Sequence, residues 1–184
     1  MGAFDDILEA AGKVIKTSVD PLDTLKMRRI PNASDTILEL ITGNNKCSEP
    51  VPGTPVYCDL AIVAEHTGIY IGDNKIVHLS GDGKIEAVTP QEFVRRLDGA
   101  NPAEKIYFAV ASGKAVGNQK IADRARAMIG KRRHYNVLLD NCHQFTCGCL
   151  SGNFENPCNF FWLVEQEIKS KNGIENFVWQ EWKY

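Results

Sequence analysis

Three residues of this 184-residue chain have the types from which thiol chemistry is built: Cys142, His66 and His78. Nucleophilic catalysis by cysteine needs a thiolate, a base to make it, and donors for the oxyanion formed on attack. Cys142 follows Asp140-Asn141, either of which can cap a helix running towards Leu150 with Gly152 past its end. A sulfur just inside a helix start meets unpaired N–H groups and the positive end of the dipole, and both favour the thiolate. The Cys142 N–H also points the right way to meet an oxyanion. Cys147 and Cys149 lie farther along the same helix and read as buried structural thiols. The three cysteines lack the Cys-x-x-Cys pairing of structural zinc sites, so neither a metal nor a cofactor is expected.

The base must come from elsewhere. Of the four histidines (66, 78, 134 and 143), His66 opens the strand-like run His66–Ile71 and His78 lies in the returning run Lys75–Leu79. Whether they share a face depends on the turn between them. If Gly72-Asp73-Asn74 forms a three-residue loop, Ile71 pairs with Lys75 and His78 faces Gly68. His66 then lies on the same face, about 7–8 Å away diagonally, a gap that rings bridge. A two-residue loop puts the pair on opposite faces. His143 adjoins Cys142, but neighbouring helix positions splay about 100° apart, so it is not expected to aim at the sulfur. His134, in a polar stretch, is expected to be exposed.

The elements that must position these residues can be read from pattern. Val56–Val63, Thr67–Ile71, Lys75–Leu79, Ile85–Val88 and Ile106–Val110 are rich in strand-forming types. A helix starts after Thr89, with Pro90 at its first position and Glu92 completing a Thr-x-x-Glu capping box. Asn118–Ile129 carries apolar residues at helical spacing and stops at Gly130, and Val137–Leu139 is short and extended. A last helix opens at Asn156-Pro157, and the aromatic tail (Phe177, Trp179, Trp182, Tyr184) packs back on the body. Towards the N-terminus, Phe4–Lys16 and Ser34–Ile41 read as helices, and the Pro-rich 44–55 as a connecting loop.

Composition narrows the class. An apolar fraction of 43% and a charged fraction of 24% are those of a globular protein. A formal charge of −2 gathers no nucleic acid, and the only basic run is the short Lys131-Arg132-Arg133. No apolar stretch nears the roughly 18 residues needed to span a bilayer. Asp5, Asp6 and Glu9 break the pattern of a signal peptide, so a cytoplasmic location and six reduced thiols are the expectation. No phosphate loop, Gly-x-Ser-x-Gly elbow or His-Glu-x-x-His helix is present.

Together these residues resemble a known family. Glu65-His66-Thr67-Gly68-Ile69-Tyr70 through His78 looks like the histidine box of the lecithin:retinol acyltransferase-like family, with its two histidines twelve positions apart. Asn141-Cys142-His143-Gln144-Phe145 looks like its Asn-Cys-x-x-Phe box. The likeness covers roughly 55–152, leaving 1–54 as a helical extension and linker and 153–184 as a C-terminal helix and aromatic tail. It implies an α+β, permuted papain-like (NlpC-type) fold in which an antiparallel sheet bearing both histidines packs against the helix that starts at the cysteine. It further implies that Cys142 attacks an ester to form a thioester, with His66 as base, His78 orienting or polarising it, and Tyr135 helping at the oxyanion. The expected partner is a lipid or other acyl ester, with peripheral membrane contact and no nucleic acid. Two other readings stay open: an NlpC-type amidase or peptidase acting on cell-wall peptide, and a non-catalytic interaction module keeping the fold.

Overall fold

The computed structural model describes residues 47, 49–59, 65–95, 105–134 and 141–184, all within the compact unit Lys46–Tyr184. The helices expected over 4–16 and 34–41, the extended run 137–139, and Tyr135 lie outside the described residues.

The expected strands form one antiparallel sheet: β1 (Pro55–Asp59), β2 (Glu65–Gly72), β3 (Lys75–Leu79), β4 (Ile85–Val88) and β5 (Ile106–Ala111). Two further strands join it, β6 (Lys114–Ala115) and β7 (Val178–Trp182), both paired to β5. The order is β4-β3-β2-β1-β5-β6, with β7 also on β5. The aromatic tail therefore packs back by becoming a strand, which buries Phe177 and Trp182.

Alternation along the strands builds two cores, one on each face. One gathers Val56, Cys58, Ile76, Ile106, Phe108 and Trp182 around Phe93 of α1 (Pro90–Arg95). The other packs Ile69, Val77, Leu79 and Ala109 against α2 (Gln119–Arg126), α3 (Cys142–Ser151) and α4 (Phe161–Asn172). The architecture is the α+β, papain-like one expected.

Local rules explain most boundaries. At α1 the capping box forms reciprocally: the Thr89 N–H donates to Glu92 Oε2 at 2.7 Å, and the Glu92 N–H to Thr89 Oγ1 at 3.2 Å. Asn118 caps α2, accepting from the Ile121 N–H. The final helix departs from expectation, starting at Phe161 rather than at Asn156-Pro157. Asn156 is held in the loop instead, because its side chain donates to the Gln144 and Asn153 carbonyls and accepts from the Cys158 N–H.

A second correction concerns the thiols. Cys147 and Cys158 form a disulfide, with Cα atoms 6.3 Å apart, while Cys47, Cys58, Cys142 and Cys149 are free. The loop pinned to α3 by Asn156 brings Cys158 against Cys147, at a separation a disulfide can span.

Candidate active site

The site begins with the β2–β3 hairpin. Its turn has two residues, Asp73 and Asn74, both with positive φ (50° and 55°), and Gly72 pairs with Lys75. Asp and Asn are among the few non-glycine residues that tolerate this conformation. A two-residue turn alone would separate the histidines. A bulge between Tyr70 and Gly72 adds one unpaired residue, Ile71, and restores the pairs Tyr70–Ile76 and Ile69–Val77. Carried one residue on, this register sets Gly68 opposite His78, as the three-residue loop would have done.

His66 and His78 consequently meet on one face. His66 Nε2 lies 2.7 Å from His78 Nδ1, and the rings stand edge to face, 4.8 Å between centroids. Phe93 of α1 packs on both, at 5.0 Å and 5.5 Å. Gly68 lets β3 lie close against β2 here, its nearest neighbour for an added Cβ being Ile76 Cγ2 at 2.8 Å. A Cβ there would come within 2.9 Å of the Val77 carbonyl oxygen and 3.3 Å of His78 Cβ.

Cys142 is the first residue of α3. Asn141 caps the helix, its Oδ1 accepting from the His143 and Gln144 N–H groups at 3.0 Å and 3.2 Å. The Asn141 amide also donates to the Asn159 carbonyl at 2.8 Å, fixing the cap to the loop before α4. Gly152, with φ at +88°, ends the helix in the left-handed conformation.

The helix start points the sulfur at the beginning of β2, where Sγ lies 4.0 Å from the Glu65 carbonyl oxygen. Burial by itself would push this thiol up. The His66 imidazole, through its charge and a hydrogen bond, outweighs burial together with the Thr67 amide and hydroxyl, and the thiol is held below its ordinary range. The group is enclosed: Cys142 is 3% exposed and His66 7%.

Three neighbours were not anticipated. His143 Nδ1 lies 3.9 Å from Cys142 Sγ and 3.2 Å from Thr67 Oγ1, and Thr146 Oγ1 donates to Thr67 Oγ1 at 3.0 Å. The expectation that His143 turns away from the sulfur is thus corrected: its hydrogen bond to Thr67 draws the ring towards the strand that Cys142 faces. Thr146 sits four positions after Cys142, hence on the same helical face. That polar residue in an apolar stretch was the available signal. Burial lowers the His143 imidazole to about 4, against the opposing pull of Glu65. Burial raises the Glu65 carboxyl, with His143 acting against the shift. His134 is exposed, as expected.

An antiparallel sheet carrying histidine, followed in sequence by a helix that opens on cysteine, defines a papain-like protein with the two halves of its site in permuted order. The chain belongs to the lecithin retinol acyltransferase family, whose sequence model matches residues 48–155. Membership puts it among acyltransferases and hydrolases of the cysteine type in general. A search of curated proteins matches none. Among the described residues no helix is long and apolar enough to cross a membrane.

Proposed function

We propose that the protein performs cysteine-dependent acyl transfer or hydrolysis on a lipid or other acyl ester through a thioester on Cys142. The observation that carries this reading is the His66–His78 pair, with 2.7 Å between the two imidazoles, together with the Cys142 thiol that His66 helps to hold below its ordinary range.

In the first half-reaction His66 Nδ1 takes the thiol proton, and the sulfur adds to the ester carbonyl. The oxyanion forms beside the Cys142 N–H, one of the first four of α3 and so without an intrahelical acceptor. Tyr135 is assigned a supporting role at that oxygen on the family resemblance. Collapse expels the alkoxide, which takes the proton back from His66 and leaves the acyl group on sulfur. Water or a second acceptor then gives its proton to His66 and attacks the thioester, releasing Cys142. Throughout, His78 Nδ1 accepts from His66 Nε2–H, holding the ring in place and stabilising the imidazolium.

A lipid source for the ester accords with two aromatic side chains at the start of α4. Phe160 is 54% exposed and Trp162 53%. Phe160 directly follows Asn159, whose carbonyl holds the cap of the nucleophile's helix. Such residues suit a peripheral contact with a lipid surface.

Intact-mass measurement after incubation with phosphatidylcholine vesicles, and separately with muropeptide, tests the reading. The expected result is an acyl adduct from the phospholipid, mapped to Cys142 and absent in Cys142→Ala. An adduct from muropeptide alone would assign the site to peptide chemistry. No adduct from either, while iodoacetamide still labels Cys142 readily, would favour the interaction module.

A further inference from the structure

The helix that carries the nucleophile is strapped along one stripe. Asn141, Gln144 and Cys147 stand three residues apart and so share one face of α3 and its cap. Each is tied to the segment that runs from Asn153 to Asn159. The Asn141 amide donates to the Asn159 carbonyl at 2.8 Å. The Gln144 and Asn156 side-chain amides each donate to the other's main-chain carbonyl, and Cys147 is bonded to Cys158. We propose that this disulfide is a redox latch on the active site. Closed, it keeps the strap on the cap of α3; its reduction by a dithiol loosens the cap and lowers the reactivity of Cys142. The proposal rests on Cys142 being the nucleophile, as argued above.

The strap is poised to leave once the bond opens. Asn159 Oδ1 is buried without a hydrogen-bond partner among the described residues, a cost that access to water would relieve. The non-covalent polar ties along the stripe are hydrogen bonds of modest net worth, whereas the covalent tie closes a loop of the chain. The other end of the strap is anchored separately, by Arg133 donating to the Phe154 carbonyl at 3.1 Å, so the opening is at Asn159. Cys158 directly precedes Asn159, and the disulfide therefore fixes the carbonyl that holds Asn141. Asn141 in turn holds the His143 and Gln144 N–H groups, which sets the first turn of α3 and with it the sulfur of its first residue.

Reduction is a thiol–disulfide exchange. A thiolate of the dithiol attacks the Cys158 sulfur, the more exposed of the two at 6% against 1% for Cys147. The electron pair of the broken S–S bond leaves on the Cys147 sulfur, which takes up a proton. The second thiol of the reductant then displaces Cys158, which leaves as a thiol, and the reductant ends as a disulfide. Two electrons and two protons pass to the protein, and the oxidised reductant restores the latch by the reverse exchange. Burial pushes the neighbouring Cys149 thiol up, so it stays protonated and does not reshuffle the bond.

The test is the rate of iodoacetamide alkylation at Cys142 at mildly acidic pH, read by peptide mass on the full chain in both redox states. The reduced sample is treated with dithiothreitol, which is removed under argon, and circular dichroism checks that each state is folded. Reduction should add two hydrogens to the intact mass, open Cys147 and Cys158 to alkylation, and slow Cys142 by about fivefold, the factor that goes with losing one helix cap. Cys158→Ser should be slow with or without reductant. Asn141→Ser keeps a capping oxygen and gives up the amide that reaches Asn159, so reduction should leave its rate where it was. If the reduced parent unfolds, the Cys147→Ala/Cys158→Ala double variant stands in for it. Equal Cys142 rates in the oxidised and reduced parent, or the same fall on reduction in Asn141→Ser, overturn the proposal. So does alkylation of Cys147 and Cys158 before any reductant is added. Alkylation needs no acyl substrate, so a redox-dependent rate without an acyl adduct would sink the proposed function and leave the latch in place. An adduct that forms equally fast in both redox states does the reverse.

Discussion

His66 Nε2 and His78 Nδ1 stand 2.7 Å apart on neighbouring antiparallel strands, with their rings nearly perpendicular at 88°. In such a pair one nitrogen holds the proton and the other offers the lone pair. If His66 receives the thiol proton at Nδ1, its Nε2–H must donate, and His78 must carry its own proton on Nε2. In the proposed reaction His78 acts through His66, as a positioning residue.

Replacing His78 by leucine should lower the rate of acyl-adduct formation by about a hundredfold, the low end of what a tuned base contributes. His78→Asn, which keeps an acceptor near Nδ1, should retain more of it. Single-turnover mass measurements compare the two, and equal rates in parent and His78→Leu would remove His78 from the mechanism.

Gly68 is a glycine inside a strand because a Cβ there would come within 2.8 Å of Ile76 Cγ2 and 2.9 Å of the Val77 carbonyl oxygen. Gly68→Ala would drive a methyl against the Val77 carbonyl and His78 Cβ. We expect it to separate the rings and cut adduct formation about as much as His78→Leu, with a stability loss of about 1–3 kcal/mol from overpacking. Urea denaturation measures the second effect. A fully active, fully stable Gly68→Ala would show that the sheet yields here.

Acid should loosen the site through His143. Its ordinary value of 6.5 falls to about 4 when folded, so between these pH values the unfolded chain binds a proton that the folded chain does not. Its contribution is therefore complete above about 6.5 and lost as pH falls towards 4, by about 3 kcal/mol. Glu65, with a raised carboxyl, works in the opposite sense just above its ordinary 4.5 and offsets part of this loss. Denaturation midpoints from pH 7 to pH 4 should fall less steeply in His143→Leu than in the parent.

The Cys147–Cys158 bond closes a short loop, with a sequence separation of 11, between α3 and the segment before α4. In the chain-entropy account, opening it costs about 3 kcal/mol. Denaturation with and without a dithiol reductant should differ by roughly that amount, and Cys158→Ser should match the reduced parent. Indifference to reductant would mean that the bond is not formed in solution.

Two helix starts were legible because each is written in adjacent residues: the Thr89-x-x-Glu92 box forms, and Asn141, one of the two caps the pattern offered, opens α3, whereas Asn156-Pro157 opens no helix. The hairpin was legible in outcome and not in mechanism. The turn residues gave a choice of loop lengths, but a bulge at Ile71 depends on packing across both faces, which no local pattern records. The same limit applies to Cys158 and to β7. Each is placed by tertiary contacts: Cys158 by a loop pinned to α3, and β7 by pairing with the distant β5. The buried Thr67 cluster escaped notice because its other members, the His143 ring and the Thr146 hydroxyl, are brought by a helix more than seventy residues away.

The unpaired Ile71 makes up the difference between a two-residue turn and the register that the histidines need. Deleting it would leave Gly72 opposite Lys75 and Tyr70 opposite Ile76, so His66 and His78 would keep their common face. Adding one residue that entered the ladder, by contrast, would turn His66 to the other face. A change of length between the turn and His66 can therefore be inherited without loss of the pair where the sheet sets the odd residue aside as a bulge.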